Sequence, residues 1–381
     1  MTERSTSRLR EKPERDQVLN PSRLSIARRR RGLTKKALAE RVAVEWRTIS
    51  AYEAKEFLPS EDLVSKLSSV LKFPREFFFG DSLDELDPDA TSFRAMKKMT
   101  SAQRDMALGQ GVLALCLDRF IQSRFEIPRP SLPDLSREAT PEAAALALRR
   151  IWGLGEMPIR NMVHLLEANG VRVFSLAIEA KEVDAFSLWK GDTPFVFLNT
   201  LKSSEHSRFD AAHELGHLVL HRHAAPKGLD AERQANAFAS AFLMPRGSVL
   251  SLAPRFVTLP VLVQLKKPWM VSVAALNYRL HELDLTSDWQ YRTLCIQIAQ
   301  AGYRSSEPEE APRETSQIFV KVFAALHEDG IGRKSVAREL QILPAELDQL
   351  VMGLVMTSIP GGRRDKTTKP NRGSFNLQLV K

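Results

Sequence analysis

The sequence predicts an α+β protein that is mostly α. It divides into an all-α N-terminal domain, a central domain with a small β-sheet and a C-terminal helical module. Three observations carry this. Most apolar residues recur at helical spacing. β signals are confined to the alternating stretch Val171–Leu176 and to a hairpin whose strands, Asp184–Trp189 and Phe195–Asn199, flank a turn at Lys190–Thr193. Proline-, glycine- or acid-rich segments separate the helical runs. The 381 residues, 43% of them hydrophobic, allow two or three domains with sizeable cores. The expected organisation is a disordered tail at 1–20, the helical domain at 21–80, linker and helices at 81–140, the central domain at 141–300, the helical module at 301–360 and a basic tail at 361–381.

The N-terminal domain reads as four short helices. Leu24, Ile26, Ala27 and Leu33 pack the first. Thr34 caps a second, Lys35–Arg41, and Val42–Val44 makes a turn. A third runs from about Glu45 to Ala54, and Pro59–Ser60 opens a fourth with Leu63, Leu67 and Leu71 inside. Residues 22–36 hold seven basic residues and no acid, a phosphate-contact footprint if the run faces outward. An acidic linker, Asp81–Asp89, follows. One or two helices fill 91–127 and stop at the prolines of Pro128–Pro133. Helices resume at Pro141–Trp152 and Pro158–Asn169, where Gly170 ends them. Beyond the hairpin come a helix over about Ser207–His221, another over Asp230–Leu243 stopped by Met244–Pro245, and mostly helix to about Leu354.

Composition narrows the setting. Charged residues at 27% and aromatics at 7% are ordinary for a soluble chain, and the net charge is +9. The two cysteines, Cys116 and Cys295, lie far apart and read as buried free thiols of a cytosolic protein. Met1–Asn20 lacks the apolar core of a secretory signal, and no run of about eighteen apolar residues exists to span a membrane. A cytoplasmic location is therefore expected.

The most informative stretch is His213-Glu214-Leu215-Gly216-His217, an H-E-x-x-H motif in an apolar run. On a helix, residues four apart share a face, so His213 and His217 can grip one Zn2+ ion. Glu214 is then placed as general base, able to take a proton from the attacking water.

A catalytic zinc takes three protein ligands. His221 continues the series, but eight residues of helix rise ~12 Å, too far for bonds of roughly 2 Å unless the helix ends first. His223 fits H-E-x-x-H-x-x-G-x-x-H, yet Leu220 stands where that pattern needs a glycine to turn the chain back. Glu232 opens the next helix with Asn236 one turn on, able to orient a ligand imidazole. Ala235 and Ala239 are small enough to let the two helices approach. Glu232 is the expected third ligand. His206, His221 and His223 are read as surface residues or as supports of the ligands. Tyr278 and Arg279 are weak oxyanion candidates, better read as packing or ion-paired. The stretch Phe195–Asn199 is either an edge strand that pairs with an extended substrate or a plain structural strand.

His213-Glu214-Leu215-Gly216-His217, Glu232-x-x-Ala235-Asn236-x-Phe238-Ala239, Leu243-Met244-Pro245, Val271-Ser272-x-x-Ala275 and Arg279-Leu280 resemble the ImmA/IrrE-type zinc metallo-endopeptidases over about residues 160–285. The resemblance implies a zincin-like peptidase domain with His213, His217 and Glu232 on zinc and Glu214 as base. It also implies cleavage of a helix-turn-helix repressor, switching on stress or mobile-element genes. Leu38-Ala39, Thr48-Ile49-Ser50, Glu53 and Pro59-Ser60 resemble the phage-repressor-type (Xre-like) helix-turn-helix. That implies a third helix in the major groove of double-stranded DNA, with Lys35, Trp46, Arg47 and Ser50 near it. Ala43 and Lys55 stand where that family has glycine, and Glu45 heads the third helix.

The stretch Gly332–Leu347 is faintly helix-turn-helix-like, but a packing or homodimerisation unit is the expected role. The two functional expectations are thus a DNA-binding zinc endopeptidase and a transcriptional regulator whose peptidase-like domain senses a ligand or holds a structural metal.

Overall fold

The computed structural model describes residues 18–86, 99–176, 185–222, 228–355 and 378–379. Of the expected tails at 1–20 and 361–381, residues 1–17, 361–377, 380 and 381 lie outside them, as do Asp87–Asp89, Asp184 and His223, while Leu19 is buried and Asn20 caps the first helix. The chain is mostly helical with a small three-stranded sheet, as expected, and divides into two compact units between Leu83 and Asp84.

The first unit holds α1 (Pro21–Arg30), α2 (Lys35–Val42), α3 (Trp46–Glu53), α4 (Glu61–Leu71) and a 3-10 turn, Arg75–Phe79. The side chains of Asn20, Thr34 and Ser60 accept from the first-turn N–H groups of α1, α2 and α4, satisfying donors the helices cannot. Leu24, Ala27, Leu38, Ile49, Leu67, Leu71, Phe77 and Phe78 are fully buried between these elements.

The basic run faces outward only in part, with Lys36 exposed but Arg23, Arg28 and Arg30 buried. Arg28 lies buried and donates to Glu53 Oε1 and Oε2 at 2.6 and 2.9 Å and to Leu33 O at 2.8 Å. Arg23, also buried, reaches Phe77 O and Asp81 O, and Arg31 closes the carbonyl end of α4 through Leu71 O and Lys72 O. Arg30 is buried as well. A one-dimensional charge count cannot tell a solvated guanidinium from one that ties carbonyls together.

Ala43 and Lys55 adopt left-handed conformations, with φ of 59° and 61°, and both side chains are exposed. A β-carbon costs about 1–2 kcal/mol there, against roughly 0.5–1 kcal/mol of extra unfolded-state freedom in glycine. Ala43→Gly and Lys55→Gly are each expected to stabilise the unit by about 0.5–1 kcal/mol in denaturant titration. A loss of stability in both would show that the turns are not strained.

The second unit holds α5 (Ser101–Gln122), β1 (Phe125–Glu126), α6 (Pro141–Ile151), α7 (Met162–Ala168), β2 (Arg172–Ser175), β3 (Ala185–Lys190), β4 (Thr193–Leu198), α8 (Ser204–Leu220), α9 (Leu229–Leu243), α10 (Arg246–Leu252), α11 (Leu259–Leu265), α12 (Val273–Glu282), α13 (Asp288–Gln300), α14 (Gln317–Glu328), α15 (Arg333–Glu339), α16 (Pro344–Val351) and β5 (Gln378–Leu379), which pairs with β1. The main sheet has the order β2-β4-β3, with β4 parallel to β2 and antiparallel to β3. Phe195–Leu198 is therefore in the central strand, and the edge-strand alternative fails. The hairpin reading saw one neighbour of β4; the parallel crossover from β2 supplies the other. Both faces of the sheet are buried, and Phe174, Phe186, Phe195 and Phe197 fill one of them, the Phe186 and Phe197 rings stacking at 4.4 Å.

Helix α8 packs on β3 and β4, and α9 lies against α8. At Gly216 an added β-carbon would sit 3.0 Å from the Phe238 ring and 3.3 Å from Ala235 Cα. The small residues at 216 and 235 thus permit the close helix contact on which the site depends.

Residues 304–316 form an irregular strap that caps three helices with glutamates. Glu307 accepts from Val273 N at 2.7 Å, Glu310 from Ser204 N at 3.1 Å, and Glu314 from Met162 N and Val163 N at 2.9 and 3.2 Å. Each carboxylate meets the positive end of a helix dipole. The C-terminal helices also pack on this unit: Gln110 bridges Ser175 O and Gln349 O, and Thr200 Oγ1 donates to Met352 O. Cys116 and Cys295 are free thiols, but half-buried rather than buried. No helix among the described residues is long and apolar enough to cross a membrane.

Glu167 is buried at the start of α14, where it accepts from Gln317 N, Ile318 N and Ser316 Oγ. Desolvation outweighs these bonds and pushes its carboxyl up to about 7, from an ordinary 4.5. The native state then holds a proton that the unfolded chain has lost. This contribution to stability is fully present below about 4.5 and is lost as pH rises through about 7. Glu167→Gln is expected to flatten the stability profile between those values, by up to about 1.4 kcal/mol per pH unit. Denaturant midpoints measured across that range test it; identical slopes for both proteins would refute it.

Candidate metal centre

Helix α8 is capped by Ser203, whose hydroxyl accepts from His206 N, and ends at Leu220. His213 and His217 lie one turn apart on one face, as the spacing predicts. Glu232 lies in the first turn of α9 and faces both. The Nε2 atoms of His213 and His217 are 3.0 Å apart, and the Glu232 oxygens lie 3.5 Å from the first and 3.4 Å from the second. These donors all fall within 4.8 Å of one another, and no other such group occurs among the described residues.

Two ring nitrogens turned to the same point repel unless a cation or a proton lies between them. Burial opposes ionisation of Glu232, yet the two imidazoles outweigh it and hold the carboxyl well below its usual range. The donor set, two imidazole nitrogens and a carboxylate, suits a divalent transition-metal ion.

Neighbours orient the donors. Asn236 Oδ1 lies 2.9 Å from His213 Nδ1, so the ring donates there and turns its Nε2 lone pair inward. Glu214, 2% exposed, is not among the donors; its Oε2 accepts from Ser187 Oγ on β3 at 2.6 Å.

His221 departs from the expected geometry. The helix does end before it, with His221 at φ −124° and ψ 29°, so helix length is not what excludes it. Its Nδ1 meets Nδ1 of His217 at 3.0 Å, on the side of that ring turned away from the donor cluster. His206 is half-exposed, 3.4 Å from Asp210. Arg279 is 1% exposed and tied to Met244 O, Glu282 and Glu142, which removes it as an oxyanion donor and matches the ion-paired reading. Tyr278 is exposed.

In the first unit, Trp46 and Arg47 open α3 on the surface, the guanidinium 5.7 Å from the indole. Ser50 is half-buried, and Lys35 lies 3.6 Å from Glu53. Glu45 precedes α3 without a capping bond from its side chain.

Residues 166–281 match the family model of the IrrE N-terminal-like domain, a peptidase family, and residues 24–78 match that of the helix-turn-helix. The chain thus carries, in this order, a segment that matches the helix-turn-helix and a segment that matches the IrrE N-terminal-like domain. No curated protein matches it. The IrrE N-terminal-like segment spans the sheet, α8, α9 and nearly all of α12, and so contains the whole donor cluster.

Two contacts escaped the sequence. Ser187 lies on a strand far from the motif and carries no local signal of its partner. Gln234 is a polar residue in an Ala-rich helix, and nothing near it announces that its Oε1 lies 3.0 Å from His221 Nε2.

Proposed function

We propose that this chain is a zinc-dependent metallo-endopeptidase joined to a DNA-binding domain, and that it hydrolyses a peptide bond in another regulatory protein, a helix-turn-helix repressor. The convergence of His213, His217 and Glu232 beside a buried Glu214 carries this reading. When bound, zinc supplies a Lewis acid that polarises the scissile carbonyl and makes water acidic near neutral pH. Glu214 accepts the proton from the attacking water and returns it to the leaving amine. Ser187 holds one oxygen of that carboxylate, and Asn236 holds His213. A site with only a structural metal has no need of such a base.

The helix-turn-helix domain binds double-stranded DNA through α3, with Arg47 and Trp46 outermost and Ser50 and Lys35 beside them. Fewer basic side chains than the sequence suggests are available for phosphates, since Arg23, Arg28 and Arg30 are buried. Repressor and DNA place the activity in the cytoplasm.

The test is co-expression with helix-turn-helix regulators encoded beside this gene. Wild type is expected to cleave one of them at a defined bond, with cleavage lost on zinc chelation and in Glu214→Gln. Stoichiometric zinc with no cleavage and intact DNA binding would instead mark the domain as a sensor or structural metal holder.

A further inference from the structure

Behind the donor cluster one half-buried polar chain is unaccounted for. His217 Nδ1 lies 3.0 Å from His221 Nδ1, and His221 Nε2 lies 3.0 Å from Gln234 Oε1. We propose that His221 and Gln234 are positioning residues, a relay that fixes His217 in the tautomer able to bind the metal. The inference rests on the metal reading above.

The proton positions follow from the partners. An amide oxygen only accepts, so His221 carries its proton on Nε2 and donates it to Gln234. A neutral imidazole with Nε2–H has its lone pair on Nδ1. His221 Nδ1 is therefore an acceptor, and His217 Nδ1 must be the donor to it. The lone pair of His217 is left on Nε2, the atom that faces His213 and Glu232. Without the relay, neutral His217 divides between two tautomers, and one of them puts N–H where the metal must bind.

The relay is built at the C-cap of α8, where His221 N still donates to His217 O at 3.0 Å and the two rings lie 5.1 Å apart. It also gives the first turns of α9 one coherent role. Glu232 supplies a donor, Asn236 sets the tautomer of His213 directly, and Gln234 sets that of His217 through His221. One helix thus orients both imidazoles of the other.

The test uses the full chain and zinc alone, by chelator competition, with the melting temperature of each metal-free variant as control. Gln234→Met and His221→Phe keep bulk but break the relay, and each is expected to weaken zinc binding by about 10-fold to 100-fold. His221→Gln offers an oxygen acceptor to His217 Nδ1–H and is expected to stay within a few-fold of wild type. Nitrogen-15 NMR of the metal-free protein, above the imidazole titration range, should show His217 protonated on Nδ1 in wild type and mixed in Gln234→Met. A wild-type His217 protonated on Nε2 overturns the relay, as does wild-type zinc affinity in both Gln234→Met and His221→Phe. If wild type binds no zinc, the metal reading falls and the relay with it. If wild type binds zinc and the variants match it, only the relay falls.

Discussion

Glu214→Gln is expected to lower peptide-bond hydrolysis by about 10²–10⁴-fold while zinc remains bound, the range that a positioned general base contributes. The amide has the shape of the carboxylate, and the Ser187 hydroxyl at 2.6 Å can donate to an amide oxygen as it does to Oε2. Glu214 is outside the donor cluster, so its loss removes no ligand. His213→Ala is the contrast. It removes a donor nitrogen and the partner of Asn236, and metal and activity should fall together. Zinc stoichiometry and kcat/KM on the cleaved regulator separate the two cases. An active Glu214→Gln enzyme would remove Glu214 as the base, and a variant that lost zinc would make it part of the metal site.

The donor cluster was legible because every step to it is local or follows from helical period. His213 and His217 share a face by spacing. Glu232 opens the next helix, and small residues at 216 and 235 mark where the two helices touch. Thr34 was legible as a cap because a cap acts within three residues. What failed was non-local. Whether an arginine points to solvent depends on which carbonyls lie opposite, and Arg28 finds Glu53 only after α1 and α3 pack. The central place of β4 depends on a parallel crossover that alternation cannot reveal.

The largest expected effect on stability lies far along the chain from the motif, at Glu314. Its Oε1 pairs with Arg208 on α8, and its Oε2 accepts from the first two N–H groups of α7. Arg208 is buried and also donates to Ile159 O and to Trp269 O. Glu314→Ala leaves a buried guanidinium without its carboxylate and two helix-end donors without an acceptor. A broken buried pair of this kind costs about 3–5 kcal/mol, enough to lower the melting temperature by on the order of ten degrees. Glu314→Gln keeps one oxygen for α7 but loses the charge and the acceptor that faces Arg208, so it should cost less than Glu314→Ala without being silent. Removing both partners, with Arg208→Met and Glu314→Gln together, should recover part of the loss, because the desolvation of the guanidinium goes with it. Thermal melts of the three variants decide the matter. If Glu314→Ala costs less than about 1 kcal/mol, the strap does not brace α8, and the pair counts for no more than a surface ion pair. If the cost is as expected, the donor helix is held in place from a segment some hundred residues downstream, and truncation before residue 304 should unfold the metal centre along with the module it removes.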